Sequence, residues 1–496
     1  MILYNSVLLS LLLLSASAAD LPQWPQFRGP SGTGIAAEDA APPIEFSPAT
    51  RVAWRADAGV GHGSLCIRGN QIFLLSFDKA GRKFVTTALD RSKGTLLWRQ
   101  ALDAEEIEPL HVLNNPATAT PATDGERLYV YFGSYGLAAY TLDGKTAWTH
   151  PLPTANQRFG SGTSPVVEGD LVLLSPTGPG ALLYAFDRHD GTLKWQSPMG
   201  SSGMQGTNGF STPLVWNGQA VVHGAGSVAA FDLRDGKRVW WLGAHSNGTA
   251  TPVASQGMIF VPTWSNTGDP SFIPPLPSWD EMLSRYDKDK DERISSDELR
   301  DDVFLMKRPD VKDDTPFAHI SVKRYFSQLD ANHDGYLTRK EWDPVRAMMA
   351  SVVRPHGLLA IKPGGQGDIG ATHIAWTEAK NVPEVPSPLL YHNRLYMVTN
   401  GGIVSCMDAG NGRMIFRGRL GAPGEYYASP VAAAGRLYFI SRDGVVTVLS
   451  DGEELKALAR NELGEEVFAS PAILGDTLYV RTVAHVYAFR GAEKAR

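Results

Sequence analysis

The stretch Ser164-Pro165-Val166-Val167-Glu168-Gly169-Asp170-Leu171-Val172-Leu173-Leu174, continued by Leu183-Tyr184-Ala185-Phe186-Asp187 and by Gly191-Thr192-Leu193-Lys194-Trp195, decides the fold. Short apolar runs bounded by Gly and Asp read as strands joined by turns, so this unit predicts four strands in a row. The phrase recurs along the chain. Its Ser/Thr-Pro step stands at Thr120-Pro121, Ser164-Pro165, Thr212-Pro213, Thr251-Pro252, Ser387-Pro388, Ser429-Pro430 and Ser470-Pro471, and Ser64-Leu65 opens an eighth copy without its proline. Most steps are 39 to 48 residues; the first is 56 and one is 136. Four-stranded units of about 40 to 45 residues, repeated radially, are the pattern of a β-propeller. The expectation is all-β: an eight-bladed β-propeller of four-stranded blades. The last copy has only three strands. The missing fourth is available at Val52-Ala53-Trp54-Arg55, and its pairing there would close the ring and remove open sheet edges.

A tryptophan follows the turn glycine by four residues at Gly94 and Trp98, Gly144 and Trp148, Gly191 and Trp195, and Gly236 and Trp240; Phe416 takes the place after Gly412, and Trp376 ends the fifth copy after an irregular turn. A large ring at the blade edge buries against the next blade, so packing alone accounts for these residues.

The bulk properties set limits. A chain of 496 residues would allow about three domains, but eight copies make one large one. A net charge of −6 argues against a nucleic-acid partner, which needs a basic patch. Residues 7–14 are apolar and Ala16-Ser17-Ala18 or Ser17-Ala18-Ala19 offers a small-residue cleavage site, so residues 1–19 read as an export signal, although residues 1–5 contain no Lys or Arg. The apolar run is too short to span a membrane, and no other long one follows. The mature chain is therefore expected to have no transmembrane segment and to be periplasmic or secreted. Cys66 and Cys406 stand in distant repeats and read as two buried free thiols. Residues 20–50 form an N-terminal extended segment, 51–265 and 356–491 the propeller, and 266–355 an insertion.

The insertion explains the long step. A proline-rich linker at 270–277 precedes helical patterns from Trp279 to about Ala350, which contain two twelve-residue calcium loops of the EF-hand type. In the second, Asp330, Asn332 and Asp334 stand at positions 1, 3 and 5, Gly335 at the sharp turn, the Tyr336 carbonyl at 7, Thr338 at 9 and Glu341 at 12. Calcium takes six to eight oxygens, and this spacing wraps them around one point. In the first, Asp287, Asp289, Asp291, Arg293 (through its carbonyl), Ser295 and Glu298 fill positions 1, 3, 5, 7, 9 and 12, with Ile294 at the apolar position 8 matching Leu337. Position 6 is Glu292 instead of Gly. A left-handed backbone there costs about 1–2 kcal/mol, a weakening of about tenfold, while Asp297 adds a further carboxylate. The two loops are expected to pair as an α-helical EF-hand pair inserted in blade 5.

Strand order places this module. In a four-stranded antiparallel blade the turn between strands two and three lies on the same face as the connections between blades, and the insertion occupies that turn. The inter-blade loops carry His111, Asn114, Asn115, Gln157, Arg158, Gln205, Asn208, His245, Asn247, Glu425, Tyr426 and Tyr427. Loops on a rigid scaffold are where binding residues gather, so this face is the expected surface for a protein partner or ligand. Gly59-Val60-Gly61-His62-Gly63 precedes a strand and reads as a loop. Gly-x-Ser-x-Gly, His-Glu-x-x-His, Cys-x-x-Cys and the phosphate-binding glycine loop with lysine are absent.

The blade phrase resembles the pyrroloquinoline-quinone-like (PQQ-like) repeat propellers, whose blades carry Ala-x-Asp-x-x-x-Gly-x-x-x-Trp. Here it stands at Ala88-Leu89-Asp90 to Gly94 and Trp98, at Ala185-Phe186-Asp187 to Gly191 and Trp195, and at Ala230-Phe231-Asp232 to Gly236 and Trp240. The opening Trp24-Pro25-Gln26-Phe27-Arg28-Gly29-Pro30 is similar to the start of many exported members. The resemblance implies one of two functions: a scaffold like that of the outer-membrane barrel-assembly machine, or a quinoprotein dehydrogenase holding PQQ in the central channel. The alcohol dehydrogenases of the family usually stack a vicinal Cys-Cys pair on the quinone. This chain lacks one, and no catalytic Asp with calcium-binding Glu and Asn neighbours aligns. The expectation is therefore a non-catalytic, calcium-binding interaction scaffold, with Ca2+ as the cofactor and the PQQ-dependent dehydrogenase as the alternative.

Overall fold

The computed structural model describes residues 22–491 except 156–158, 178–181, 200–208, 256, 266–271, 310, 312, 314–317 and 351–355. The expected export signal lies outside the described residues. Eight sheets follow in sequence order as blades 1 to 8, antiparallel but for one added parallel strand in blade 4. The first strands of neighbouring blades lie side by side around the axis. Six sheets have four strands; blade 1 gains Gln23–Trp24 and blade 4 gains Gly367–Asp368 as a fifth. Val52–Asp57 pairs antiparallel with His485–Arg490 and supplies the outer strand of blade 8, closing the ring.

The recurring Ser/Thr builds a closed belt. The backbone N–H of Ser64 donates to Thr120 Oγ1, Thr120 N–H to Ser164 Oγ, Ser164 to Thr212, Thr212 to Thr251, Thr251 to Ser387, Ser387 to Ser429, Ser429 to Ser470, and Ser470 back to Ser64, all at 2.8–3.1 Å. All eight residues are buried. A buried N–H ahead of its strand needs an acceptor, and the neighbouring blade's hydroxyl provides it. The following proline has no N–H to satisfy and holds the residue before it extended. Leu65 lacks this restraint, but Ser64 keeps the hydroxyl, which is the part the belt needs.

A second belt runs near the outer edge. Trp54, Trp98, Trp148 and Trp195 donate through Nε1 to the carbonyls of Arg91, Leu142, Arg188 and Leu233 in the next blade, at 2.8–3.1 Å. Each ring lies on that blade's turn glycine: a Cβ on Gly191 (φ +74°) would stand 2.5 Å from Trp148.

The N-terminal segment occupies the axis. Gln23–Trp24 pairs with the first strand of blade 1 (Cys66–Arg68). Pro25 O accepts the Thr123 N–H of blade 2 at 2.8 Å and Cys66 Sγ at 3.3 Å. Arg28 Nη2 donates to Pro388 O of blade 6 at 2.6 Å, and the segment exchanges hydrogen bonds with Ala432 of blade 7 through Gly34 and Ala36. A cavity of about 200 Å3 remains between this segment and the first strands of blades 2 to 5. Both cysteines are buried and unbridged.

The insertion lies between Ile259–Thr263 and Gly357–Ile361, the second and third strands of blade 5. It holds helices α1 (Trp279–Tyr286), α2 (Phe326–Leu329) and α3 (Arg339–Ala350) around its own core of Trp279, Met282, Tyr286, Ile294, Phe326, Leu337 and Trp342. The helical patterns expected from Trp279 to about Ala350 are met at α1, α2 and α3 and interrupted between the two loops. Among the described residues the first loop is followed by turns instead of a helix, the helix entering the second is a single turn, and a hairpin of Phe304–Lys307 with His319–Ser321 stands between them. Val303, Phe304, Ile320 and Val322 suit strands better than helix.

Two consequences are measurable. Ser429→Ala removes an acceptor and leaves the buried Ser387 N–H unpaired, so it is expected to cost about 1–3 kcal/mol in denaturant unfolding, while Ser429→Thr stays near wild type. Glu108, in the loop between blades 1 and 2, is 3% exposed. It accepts from Ser161 Oγ at 2.8 Å, and burial raises its pKa to about 7. The folded chain thus retains a proton there that the unfolded chain loses above its ordinary value of about 4.5. Stability falls as pH rises from about 4.5 to about 7, by on the order of 3 kcal/mol. Glu108→Gln is expected to abolish that fall when unfolding midpoints at pH 5 and pH 8 are compared.

Candidate calcium loops and the face they overlook

Both loops take the same backbone path. Ser278 caps α1 with a reciprocal Ser278–Glu281 capping box, and α1 delivers Asp287 at its C-terminal end. Glu292 and Gly335, both at position 6, have φ +64° and +88°; Lys290 and His333, both at position 4, have φ +64° and +56°. The expected strain at Glu292 is therefore present. Ile294 pairs with Leu337 and Ser295 with Tyr336, joining the loops through a two-residue ladder.

The side chains repeat position by position. Asp287 Oδ2 accepts the Glu292 N–H at 3.1 Å, and Asp330 Oδ2 the Gly335 N–H at 2.9 Å. Asp291 Oδ1 accepts from Arg293 N at 2.9 Å, and Asp334 Oδ1 from Tyr336 N at 3.0 Å. Asp289 and Asn332 accept from the position-5 N–H at 3.3 and 3.0 Å. Glu298 bonds the N–H groups of Lys288 and Ser295, as Glu341 bonds those of Ala331 and Thr338, at 2.8–3.0 Å. The carboxylates of Asp287, Asp289 and Asp291 converge within 4.8 Å of one another, near enough to share one metal ion. Such hard, converging oxygens suit calcium. The loops differ at position 7. Arg293 bonds Asp291 Oδ2 at 2.7 and 3.0 Å, and its guanidinium lies 4.0 Å from the Tyr336 ring centroid.

The module is fastened to the propeller. Arg308, 5% exposed, pairs with Glu384 of the loop between blades 5 and 6 at 2.8 Å, and its guanidinium lies 5.0 Å from the Trp264 ring centroid. Asn400 Nδ2 donates to Glu384 at 3.3 Å, and Asn400 Oδ1 accepts the Tyr426 N–H at 2.8 Å. A polar chain thus runs from the insertion into the loop between blades 6 and 7.

That face holds a wall of rings. His62 stacks on Phe468 (4.1 Å, 11°) and Tyr427 on Phe468 (5.3 Å, 22°). Arg442 lies 5.6 Å from the Phe468 ring centroid and pairs with Glu425 and Glu466 at 2.8 Å each. Burial, with Arg481 and Arg442 nearby, lowers the His62 pKa to about 4, so the ring is neutral at pH 7. Among the expected loop residues, Tyr427 and Glu425 belong to this cluster. Tyr426 is buried, its hydroxyl donating to Ala422 O. Asn115 Oδ1 accepts the Ala117 N–H within its own loop, Asn114 Nδ2 donates to Phe159 O and Ser161 O of the next inter-blade loop at 2.6 and 3.1 Å, and His111 packs 5.3 Å from Phe159. The Asn247 N–H donates to Trp264 O, and His245 lies in the same loop. Gln157, Arg158, Gln205 and Asn208 lie outside the described residues. Sequence reasoning missed His62, Phe468 and Arg442. A signal existed: His62, Phe210, Tyr427 and Phe468 each stand two residues before a belt Ser/Thr, and aromatic side chains at that position mark the mouth of the axis.

Comparisons agree with this architecture. No curated protein matches the chain. Residues 322–345, which hold the second loop, match the EF-hand family. The quinohemoprotein alcohol dehydrogenase of Comamonas testosteroni is similar in structure (TM-score 0.53, 12% identity, 97% of this chain and 82% of that one). So is a europium-containing methanol dehydrogenase (TM-score 0.51, 14% identity, 93% and 90%). BamB from Moraxella catarrhalis aligns over 88% of this chain and 85% of its own at 13% identity, with a TM-score of 0.38. At these identities the likeness is one of fold. Residues 44–273 and 372–493 match the family described as outer membrane protein assembly factor BamB, and the chain belongs to that family.

Proposed function

We propose that this protein is an exported, calcium-binding propeller that acts as a non-catalytic interaction scaffold, with calcium ordering the insertion over the inter-blade loop face. The observation that carries this reading is the position-by-position repetition of the hydrogen-bond pattern in two loops joined by the Ile294–Leu337 pair. Asp287, Asp289, Asp291, Glu298 and the Arg293 carbonyl would hold one ion. Asp330, Asn332, Asp334, Glu341 and the Tyr336 carbonyl would hold the other. Bound calcium would supply the positive charge that draws each loop's carboxylates together. The Arg308–Glu384 pair gives that order a route to the loop face, where the partner surface would lie. Extracellular calcium modules bind at about 10⁻⁴–10⁻³ M, a range in which sites at millimolar calcium stay filled. Among the described residues, no helix is long and apolar enough to cross a membrane, which fits an exported chain.

The alternative is a PQQ-dependent dehydrogenase. Three observations favour the scaffold. Residues 23–36 cross the axis and bond to the first strands of blades 1, 2, 6 and 7. Cys66 and Cys406 lie in different blades. Among the described residues, the carboxylates that converge at metal-binding distance belong to the insertion.

Isothermal calorimetry of the full chain is expected to give two calcium sites, the first loop being about tenfold weaker. Glu341→Gln should weaken the second site by on the order of a hundredfold, and Glu292→Gly should strengthen the first about tenfold. Absence of calcium binding would overturn the reading. Titration with PQQ and calcium, followed by visible absorption, is expected to show no calcium-dependent quinone complex; tight binding with dye reduction would make the protein a dehydrogenase.

A further inference from the structure

The segment on the axis carries a charge that the calcium reading does not use. Arg28 is 0% exposed. Its Nη2 donates to Pro388 O at 2.6 Å and to Thr33 O at 3.0 Å. Its Nε and Nη1 have no hydrogen-bond partner. Burial lowers its pKa to about 9, with no neighbouring charge contributing, so the guanidinium is ionised at neutral pH and without a counter-charge. Buried charges in proteins are paired or coordinated, because an isolated one is strongly unfavourable.

Arg481, 1% exposed and likewise lowered to about 9 by burial alone, leaves only Nε without a partner: Gly63 O accepts from Nη1 at 2.8 Å and Leu75 O from Nη2 at 2.6 Å. In Arg28 both carbonyls fall on one nitrogen. The backbone around Arg28 is also unusual. Arg28, Gly29, Ser31, Gly32 and Gly34 have φ +62°, +69°, +51°, +67° and +77°. Successive residues in such turn conformations form the concavities that bind anions, and two of these five are not glycine, so strain is retained. Gly34 keeps the flank of the guanidinium clear: a Cβ there would stand 3.1 Å from Nη2 and 3.4 Å from Nε of Arg28.

We propose that Arg28 binds a small monovalent anion, a halide or a single carboxylate group, on the axis of the propeller through the hydrogens of Nε and Nη1 that no protein oxygen accepts. The lone positive charge selects for a single negative one. The anion would neutralise the only charged side chain of residues 23–36 and so help to hold the segment against the first strands of blades 6 and 7. This site is independent of the calcium loops.

The test uses crystals of the full chain soaked in sodium bromide, together with melting curves in chloride, formate or bulky gluconate at constant ionic strength. The expected result is an anomalous bromide peak within about 3.3 Å of Arg28 Nε or Nη1, and a melting temperature that rises by roughly 2 °C per tenfold of chloride. Formate in place of chloride tests whether a carboxylate also fits. Arg28→Met should lose the anion dependence and Arg28→Lys should keep part of it. Ordered water alone at both nitrogens, or melting that does not distinguish chloride from gluconate, would overturn the proposal. If Arg28→Met does not fold, the wild-type soak and melting curves decide.

Discussion

Everything in this propeller depends on one repeated hydrogen bond, from the N–H of a Ser or Thr at the start of each first strand to the hydroxyl of its counterpart in the next blade. A single neutral bond of this kind contributes only about 1 kcal/mol. Eight of them around a closed path do more than add, because each hydroxyl also fixes the position from which the next strand departs. The belt sets the angular step between blades. The tryptophan rings on the neighbouring turn glycines set it again at larger radius. Two constraints at different distances from the axis define a rotation where one would leave a hinge.

The belt also determines what the sequence revealed. Ser/Thr-Pro was visible because the belt demands it in every blade, and the eight blades, the closing strand at Val52–Asp57 and the site of the insertion all followed from counting it. The EF-hand-type loops were visible for a related reason: such a loop carries all its oxygen-bearing positions within twelve residues. Features that depend on distant chain segments were not visible. Nothing local to Gln23–Trp24 says that it adds to the inner edge of blade 1. Arg308 and Glu384 are 76 residues apart, and neither stands out among 46 Lys and Arg and 52 Asp and Glu. The hairpin between the two loops was missed because an amphipathic stretch there fits the helical template, and the β-branched and aromatic residues at 303–304 and 320–322 were given too little weight.

The symmetry of the belt makes its departures informative. Two residues before the belt, the position that overlooks the mouth is small or aliphatic in four blades (Thr118, Gly162, Thr249, Val385) and aromatic in the others (His62, Phe210, Tyr427, Phe468). The belt does not need aromatic rings there, since four blades manage without them. Three of the four fall in consecutive blades 7, 8 and 1 and stack in one row, with Arg442 held beside them by two carboxylates. Such a row buries less than its full surface and leaves ring edges at the mouth.

The insertion and the ring wall meet through a short polar chain. Arg308 leaves the hairpin of the insertion, Glu384 receives it, Asn400 bonds Glu384 on one side and the Tyr426 N–H on the other, and Tyr427 begins the wall. Every link is a directional bond between groups that are buried or half-buried, so moving one end strains the next instead of being absorbed by solvent. A surface ion pair would transmit little; Arg308 is 5% exposed and flanked by Trp264, which keeps water from competing. The insertion is therefore fastened at the point from which a change in its own packing would be felt at the mouth. A module added only to stiffen blade 5 would need the strand pairing between Thr263 and Gly357 and nothing further.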